Sequence, residues 1–505
     1  QNNYYKSLRC PITSSLPTLG TEIHLNPVYI LVNVTKMFLK LVSCIILLDT
    51  CVYGAQTILV DTPVGQIRGI LGDNFTTFLG IPYGLVNETN PFGNAQPHPY
   101  FNTPHEAYND SAICPQYDIY GVIKGTIQCL HLNIYRPNVI EPGHKLPVMV
   151  YIHGGAFAEG NGALTTYSPR YLMRHEVILV TVNYRLGPYG HLCLPNTEYS
   201  NQALKDQSSA LRWVKNNIAS FSGDPDNILL FGHSSGSVSV HFHLLFDKEI
   251  LFNKVILQSG VAVLSLMNQV TDVTTFVKDV GLDDENIDVD RFIQTISAID
   301  TNTVINITKF YNFRPCVEGD VLNTTPKMRN LQNVKVMIGG AMKEMLYFYP
   351  KEDRYTNFDL VAELNNGFSV SKMADSADAI DQIKNFYLEN QNMDVIDFAS
   401  DLAFNYPIER TVRYYVQNKY TVYRYLFSYD GGRNFMKIRD NITATGSTHG
   451  DELGYIYDIP LLQNTTAEDQ VIIDRITLLW TNFAKYSYVI YTRNFSVIIF
   501  RLIKI

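Results

Sequence analysis

The chain has 505 residues, of which 46% are hydrophobic and 17% charged. That composition supports a large apolar core and excludes a disordered or low-complexity chain. A formal net charge of −8 with no basic block excludes nucleic acid as an expected partner.

The first segment reads separately from the rest. The chain opens on Gln1, and residues 1–36 show no usable periodicity. From Met37 the pattern changes. Lys40 supplies a positive charge, Leu41 to Leu48 form an apolar run of signal-peptide length, and Val52 and Gly54 suit cleavage after Gly54. The run is too short to span a bilayer. The expectation is a translated leader over 1–36, a signal peptide over 37–54 and a secreted chain, with a buried strand or helix as the alternative for the apolar run. Eight Asn-x-Ser/Thr sequons follow, at Asn74, Asn87, Asn109, Asn306, Asn323, Asn441, Asn464 and Asn494, and they suit N-glycans. No linker, repeat or low-complexity tract interrupts Thr57 to Lys485, so residues 55–485 read as one domain.

Within that domain, apolar runs alternate with helical patterns. Cys114 and Cys129 flank a polar, Gly-containing loop and read as a disulfide of a secreted protein, worth about 3 kcal/mol for a loop of that size. Val148 to Ile152 is a continuous apolar run ending at His153-Gly154-Gly155, and Val177 to Val182 is another. Ala203 to Asn217 has apolar residues at helical spacing. Ile228 to Phe231 predicts a strand and Ser237 to Leu245 a helix, with Val255 to Leu257, Val334 to Ile338 and Thr421 to Ser428 as further strands. Solid apolar runs of this kind mark a mainly parallel sheet covered by helices on both faces. Cys193 and Cys316 sit in separate segments and read as buried thiols. His241 and His243 are spaced i, i+2, which puts their rings on different helix faces. With no CxxC or HExxH in the chain, no metal site is expected.

Gly232-His233-Ser234-Ser235-Gly236 joins the 228–231 strand to the 237–245 helix. Strand, Gly-x-Ser-x-Gly turn and helix form a nucleophile elbow, which lifts Ser234 Oγ clear of the sheet above a helix N-terminus. A serine hydroxyl needs a base, and the base needs an acid to fix its tautomer. In folds that carry this elbow the chain order is Ser, acid, His. Beyond His243 the sequence contains one histidine, His449, in the small-residue loop Gly446 to Asp451. The acid follows a strand between the two. Glu344, after Val334 to Ile338 and Gly339-Gly340, is the better placed candidate, and Asp320 is its rival. His153-Gly154-Gly155-Ala156-Phe157 supplies backbone N–H groups for an oxyanion, with the N–H of Ser235 as a further donor.

The chain resembles the type-B carboxylesterase/cholinesterase family of α/β-hydrolases. The resemblance rests on Phe78-Leu79-Gly80-Ile81-Pro82-Tyr83, Cys129 to Tyr135, Asn183-Tyr184-Arg185-Leu186-Gly187 and Asp206-Gln207 through Val214. It continues through Gly223-Asp224-Pro225, His449 to Tyr455 and Trp480 to Lys485. Leu426 to Gly431, with His233 before the serine, looks most like insect esterases. The resemblance implies an α/β-hydrolase fold and a Ser234–Glu344–His449 triad. It implies oxyanion donors at Gly154, Gly155 and Ser235, the Cys114–Cys129 bond, and an internal Arg185–Asp206 ion pair. It further implies hydrolysis of small-molecule carboxylic esters through an acyl-enzyme, without a cofactor.

The departures narrow the expectation. The Cys114–Cys129 loop lacks the Trp on which cholinesterases stack a choline cation, and His233 replaces the usual Glu. A neutral or apolar ester is therefore expected. Ile127-Gln128 replaces an acidic pair and the segment around Asn90-Pro91-Phe92 lacks its usual Arg, so one family ion pair is lost on both sides together. Ser235 replaces a usual Ala. After Lys485 the family's pattern stops, which predicts a truncated or aberrant C-terminal end over 486–505. The alternatives are a non-catalytic binding or adhesion member of the same fold, or an inactive product of a faulty gene model.

Overall fold

Strands that are apolar on both faces must be covered on both sides. In the computed structural model of the chain they form the centre of a twelve-stranded sheet. The structure describes residues 56–488 and 503–504, apart from 195–196, 248, 265–272, 283–287, 317–333, 349–361, 363, 365–375 and 390–394. The expected leader and signal peptide, Asp320, Asn323, Asn494 and most of the 486–505 segment lie outside the described residues.

The first strands of the sheet are β1 (Thr57–Thr62), β2 (Gly65–Leu71), β3 (Phe75–Pro82), β4 (Phe101–Glu106) and β5 (His131–Pro137). They are followed by β6 (Leu146–Ile152), β7 (Ile178–Val182), β8 (Gly223–His233), β9 (Lys254–Gln258), β10 (Lys335–Ala341), β11 (Val422–Phe427) and β12 (Ile503–Lys504). The spatial order is β1-β2-β3-β5-β7-β6-β8-β9-β10-β11-β12, with β4 beside β2. From β7 to β11 every neighbouring pair is parallel. The pairs β1–β2, β2–β3, β3–β5, β5–β7 and β11–β12 are antiparallel. The sheet is thus parallel through its centre and mostly antiparallel towards its edges, where the β2–β4 pair alone is parallel.

Successive residues on a strand face opposite sides, and the two cores follow that alternation. Val148, Val150 and Ile152 pack with Ile228, Leu230 and Trp213 on one side. Met149 and Tyr151 pack with Leu229, Phe231 and Trp480 on the other. Each fully buried aliphatic chain here contributes about 1.5–3 kcal/mol. The first core is covered by α1 (Gln202–Asn217), α2 (Ser235–Phe246) and, further along the chain, α5 (Tyr406–Gln417). The second is covered by α6 (Ala467–Tyr486), whose N-terminus is closed by a Thr466–Asp469 capping box. Between them in sequence, α3 (Val289–Ala298) and α4 (Thr301–Ile307) start on Asp288 and Asp300 caps that accept from Arg291 and Thr303. They bury Phe292, Ile296 and Val304 in a third, smaller core.

In the covalent and ionic frame one expectation is corrected. Cys114 and Cys129 are bonded. Arg185 and Asp206 form a fully buried bidentate pair at 2.8 and 2.7 Å, and Arg185 Nη1 also donates to the carbonyls of Pro91 and Gly93. Every charge there has a partner, which a buried pair requires. Cys193 and Cys316 are not free thiols: they form a second disulfide across 123 residues of sequence. Their separation hid the pairing, and the fold brings their Cα atoms to 6.0 Å. Gln128, which stands where the resemblance implies an acidic residue, serves as a neutral clamp. Its amide donates to Val86 O at 2.7 Å and accepts from Val86 N at 3.2 Å. Among the described residues no helix is long and apolar enough to cross a membrane.

Candidate active site

The site sits at the C-terminal ends of the parallel strands, where β8 turns into α2. Ser234 has φ 57° and ψ −126°, a backbone strained for a residue with a side chain. The turn holds because its neighbours are glycines. A Cβ on Gly236 would stand 2.1 Å from the Ile152 carbonyl oxygen, and one on Gly232 2.6 Å from Gly236 itself. The Ser234 N–H donates to Gln258 O at 2.8 Å, which ties the turn to β9. The helix begins at Ser235 rather than Ser237, since the turn feeds α2 without a spacer.

Three side chains that the sequence places far apart converge on this turn. Ser234 Oγ lies 2.8 Å from His449 Nε2, and His449 Nδ1 lies 2.7 Å from Glu344 Oε2. The other carboxylate oxygen, Oε1, accepts from Ser259 Oγ and from the Ala341 N–H, each at 2.6 Å. Glu344 has no exposed surface. Its return toward the sheet needs Gly340, where a Cβ would meet Glu344 Oε1 at 2.3 Å. The loops carrying Glu344 and His449 are clamped together. Thr448 Oγ1 donates to Glu344 O at 3.1 Å and accepts from the Tyr347 N–H at 2.7 Å, while the Lys343 N–H donates to Ser447 O at 2.9 Å. Thus a nucleophile, a base and an oriented acid lie in hydrogen-bond contact, which is the arrangement that acyl transfer needs.

Apart from Glu344, the rings that pack around His449 are apolar or neutral. Its ring centroid lies 4.6 Å from that of His233, 4.9 Å from Phe404 and 5.8 Å from Phe348. Burial pushes His233 well below the ordinary histidine range, so its ring is neutral. Phe404 lies in a π-helical turn, Asp401–Asn405, just before α5. Behind the triad, two further carboxyls are buried. Burial raises Asp451 to about 7, even though it accepts from the Thr448 N–H, Asn434 Nδ2 and two further backbone N–H groups. Burial and then the charge of Glu344 raise Glu452 to about 8.

Opposite the serine lies the loop after β6. Its backbone is sharply turned, with positive φ at Gly155, Ala156 and Phe157. Gly154 lies against Ser234, since a Cβ there would stand 3.0 Å from Ser234 Cβ. The Phe157 N–H donates to Ser235 Oγ at 3.3 Å, so this hydroxyl faces the loop instead of crowding the serine. The N–H groups of Gly155 and Ala156 donate to no described residue. Gly155 and Ala156 also line a pocket of about 310 Å³, whose walls include Tyr117, Lys309, Tyr311 and Phe313.

Among the described residues no cluster of His, Cys, Asp and Glu could hold a metal. His241 and His243 have protein partners on every ring nitrogen. His241 meets Tyr415 Oη and the Ala262 N–H, and His243 meets Gln207 Oε1 and Asp247 Oδ2. The residues that sequence reasoning missed are Ser259, Thr448 and the buried acids Asp451 and Glu452. Asp451 and Glu452 stand in the motif beside His449, but their burial carries no sequence signal.

Comparison with known proteins gives the family. Residues 56–489 match the model of the carboxylesterase family. The chain is 29% identical to bile salt-activated lipase of Homo sapiens over 84% of its own length and 61% of that protein's. It is 28% identical to juvenile hormone esterase of Tribolium castaneum, covering 87% of this chain and 85% of that one. Among solved structures it is similar to juvenile hormone esterase from Manduca sexta with OTFP covalently attached, at TM-score 0.73 and 26% identity, covering 86% of this chain and 92% of that one.

Proposed function

Because the chain belongs to the carboxylesterase family, we propose that it is a secreted serine hydrolase of neutral or apolar carboxylic esters. One observation carries the reading: the unbroken hydrogen-bonded chain Ser234–His449–Glu344. In the proposed reaction His449 Nε2 takes the Ser234 proton as Oγ attacks the ester carbonyl. Glu344 stabilises the imidazolium that results. The backbone N–H groups of the 154–156 loop and of Ser235 meet the oxyanion. Within that loop the expected donors are Gly154 and Gly155. Ala156 joins them in this proposal, because its N–H and that of Gly155 have no other described acceptor. His449 then returns the proton to the leaving alcohol, and water releases the acyl group by the same steps in reverse order.

The preference for neutral esters is supported by what faces His449. A neutral His233 and the rings of Phe404 and Phe348 offer no anion to a cationic substrate. Secretion is supported by two disulfides, which persist in oxidising compartments. N-glycans are proposed at the exposed sequons Asn74, Asn87, Asn109, Asn306, Asn441 and Asn464. The test is covalent labelling of the purified chain with a fluorophosphonate probe. Labelling that disappears in Ser234→Ala is expected. A soluble, compact wild-type chain that does not label would overturn the catalytic reading in favour of a binding role.

A further inference from the structure

The mouth of the pocket carries apolar surface that the triad does not use. One side is the hairpin inside the Cys114–Cys129 loop, where Gln116–Tyr117 pairs with Ile123–Lys124. Its tip is rigid. Asp118 Oδ1 accepts from the Tyr120 and Val122 N–H groups at 2.9 Å each, and Oδ2 pairs with Lys124 Nζ at 2.6 Å. That closure holds Ile119, Tyr120 and Val122 outward, 71%, 82% and 53% exposed. The other side follows α4, where Phe310 is 88% exposed. Tyr117 Oη donates to Asn306 Oδ1 at 2.9 Å and joins the two sides. Gly121 at the tip and Lys309 beside Phe310 line the same pocket as Gly155 and Ala156.

Three side chains held outward by the hairpin and an exposed Phe310 around one entrance are unfavourable unless something covers them. Their chemistry indicates what. Lys309 lays its ammonium over the rings of Tyr117 and Phe310, at 5.0 and 5.6 Å. Aliphatic and aromatic chains edged by tyrosine and lysine are the set that settles at a lipid–water boundary, apolar part inward and polar end outward. Lys124 is neutralised by Asp118, whereas Lys309 has no acidic partner among the described residues. Lys309 shares the pocket lining with Glu159, so the entrance carries both signs of charge, and the Lys309 ammonium suits the phosphate of a lipid headgroup. We propose that this rim docks on the surface of a phospholipid aggregate, so that an ester enters the pocket directly from the lipid phase. The proposal rests on the pocket being the substrate entrance of an ester hydrolase.

Vesicle flotation tests the docking without relying on catalysis. The probes are vesicles of phosphatidylcholine alone and of phosphatidylcholine with phosphatidylglycerol. Intact mass first establishes whether Asn306 carries a glycan, and Asn306→Gln is used if it does. The wild-type chain is expected to float with both. The combined variant Ile119→Ser, Tyr120→Ser, Val122→Ser and Phe310→Ser should bind at least about tenfold more weakly. Lys309→Glu should weaken binding most on the phosphatidylglycerol vesicles. The apolar-rim variant should keep wild-type turnover of a water-soluble short-chain ester and lose turnover of an ester dispersed in the vesicles. Its unchanged turnover in water also shows that it is folded. A wild-type chain that fails to float, or a rim variant that floats equally well, overturns the proposal. So does light scattering that finds a dimer dispersed by the rim variant, because a second copy would then be the occupant. Flotation with no turnover of either ester leaves the docking standing and removes the hydrolase reading.

Discussion

Glu452→Gln isolates the electrostatic cost of packing a second acid behind the triad. Glu452 has no exposed surface. Among the described residues its Oε1 receives a 3.4 Å contact from Gln258 Nε2, and its Oε2 has no side-chain partner. Burial, and then the charge of Glu344, hold it neutral up to about pH 8 against an ordinary 4.5. The sign of the effect follows from where the proton sits. Below about pH 4.5 the folded and unfolded chains both keep the proton, and there is no penalty. Between 4.5 and 8 the unfolded chain loses it while the folded chain retains it, so stability falls as pH rises. Above 8 the penalty is complete. At about 1.4 kcal/mol per pH unit, the ceiling of the effect between pH 5 and pH 8 is about 4 kcal/mol. Glutamine has the same shape and no charge, so the variant lacks this slope. The unpartnered amide it introduces costs about 1–3 kcal/mol, but equally at every pH. The assay is urea unfolding of wild type and variant at pH 5, 6.5 and 8. The variant's stability relative to wild type should rise by about 2–4 kcal/mol across that range. A difference that stays constant with pH would refute the reasoning.

Other consequences are as direct. Ser259→Ala removes the 2.6 Å bond to Glu344 Oε1, and kcat should fall about tenfold with KM nearly unchanged, because the acid is then less firmly oriented; steady-state kinetics on a soluble ester would show it. Asp206→Ala leaves the buried Arg185 guanidinium without its carboxylate and should cost about 3–5 kcal/mol, read as a lowered urea midpoint. Cys193→Ser with Cys316→Ser removes a cross-link that closes 123 residues and should cost about 2–5 kcal/mol, while fluorophosphonate labelling at low temperature persists.

What the sequence revealed about this site depends on how local each signal was. The elbow is local: two glycines two residues either side of Ser234, after an apolar strand, leave little else for the backbone to do. His449 was reached by elimination, since no other histidine follows His243. The acid was not local. Spacing left Glu344 and Asp320 both open, and the resemblance made the choice. The close fit of Glu344 Oε1 over Gly340 is a three-dimensional fact that spacing cannot express. Cys193 and Cys316 were misread for the same reason, as their pairing depends on segments that only the finished fold brings together. Gly154 and Gly155 drew attention because glycine signals close approach. Yet Ala156 adopts positive φ with its Cβ in place, so glycine is not the only residue at which such a donor loop bends. Ser259 and Thr448 show the limit most clearly. Each is a small hydroxyl residue in a loop, ordinary by any sequence measure. Each bonds to Glu344, from 85 and 104 positions away. Their value arises only because Glu344 is sealed from water, where a carboxylate must find its donors within the protein. A sequence names the groups that react, but the groups that hold them in place are set by burial.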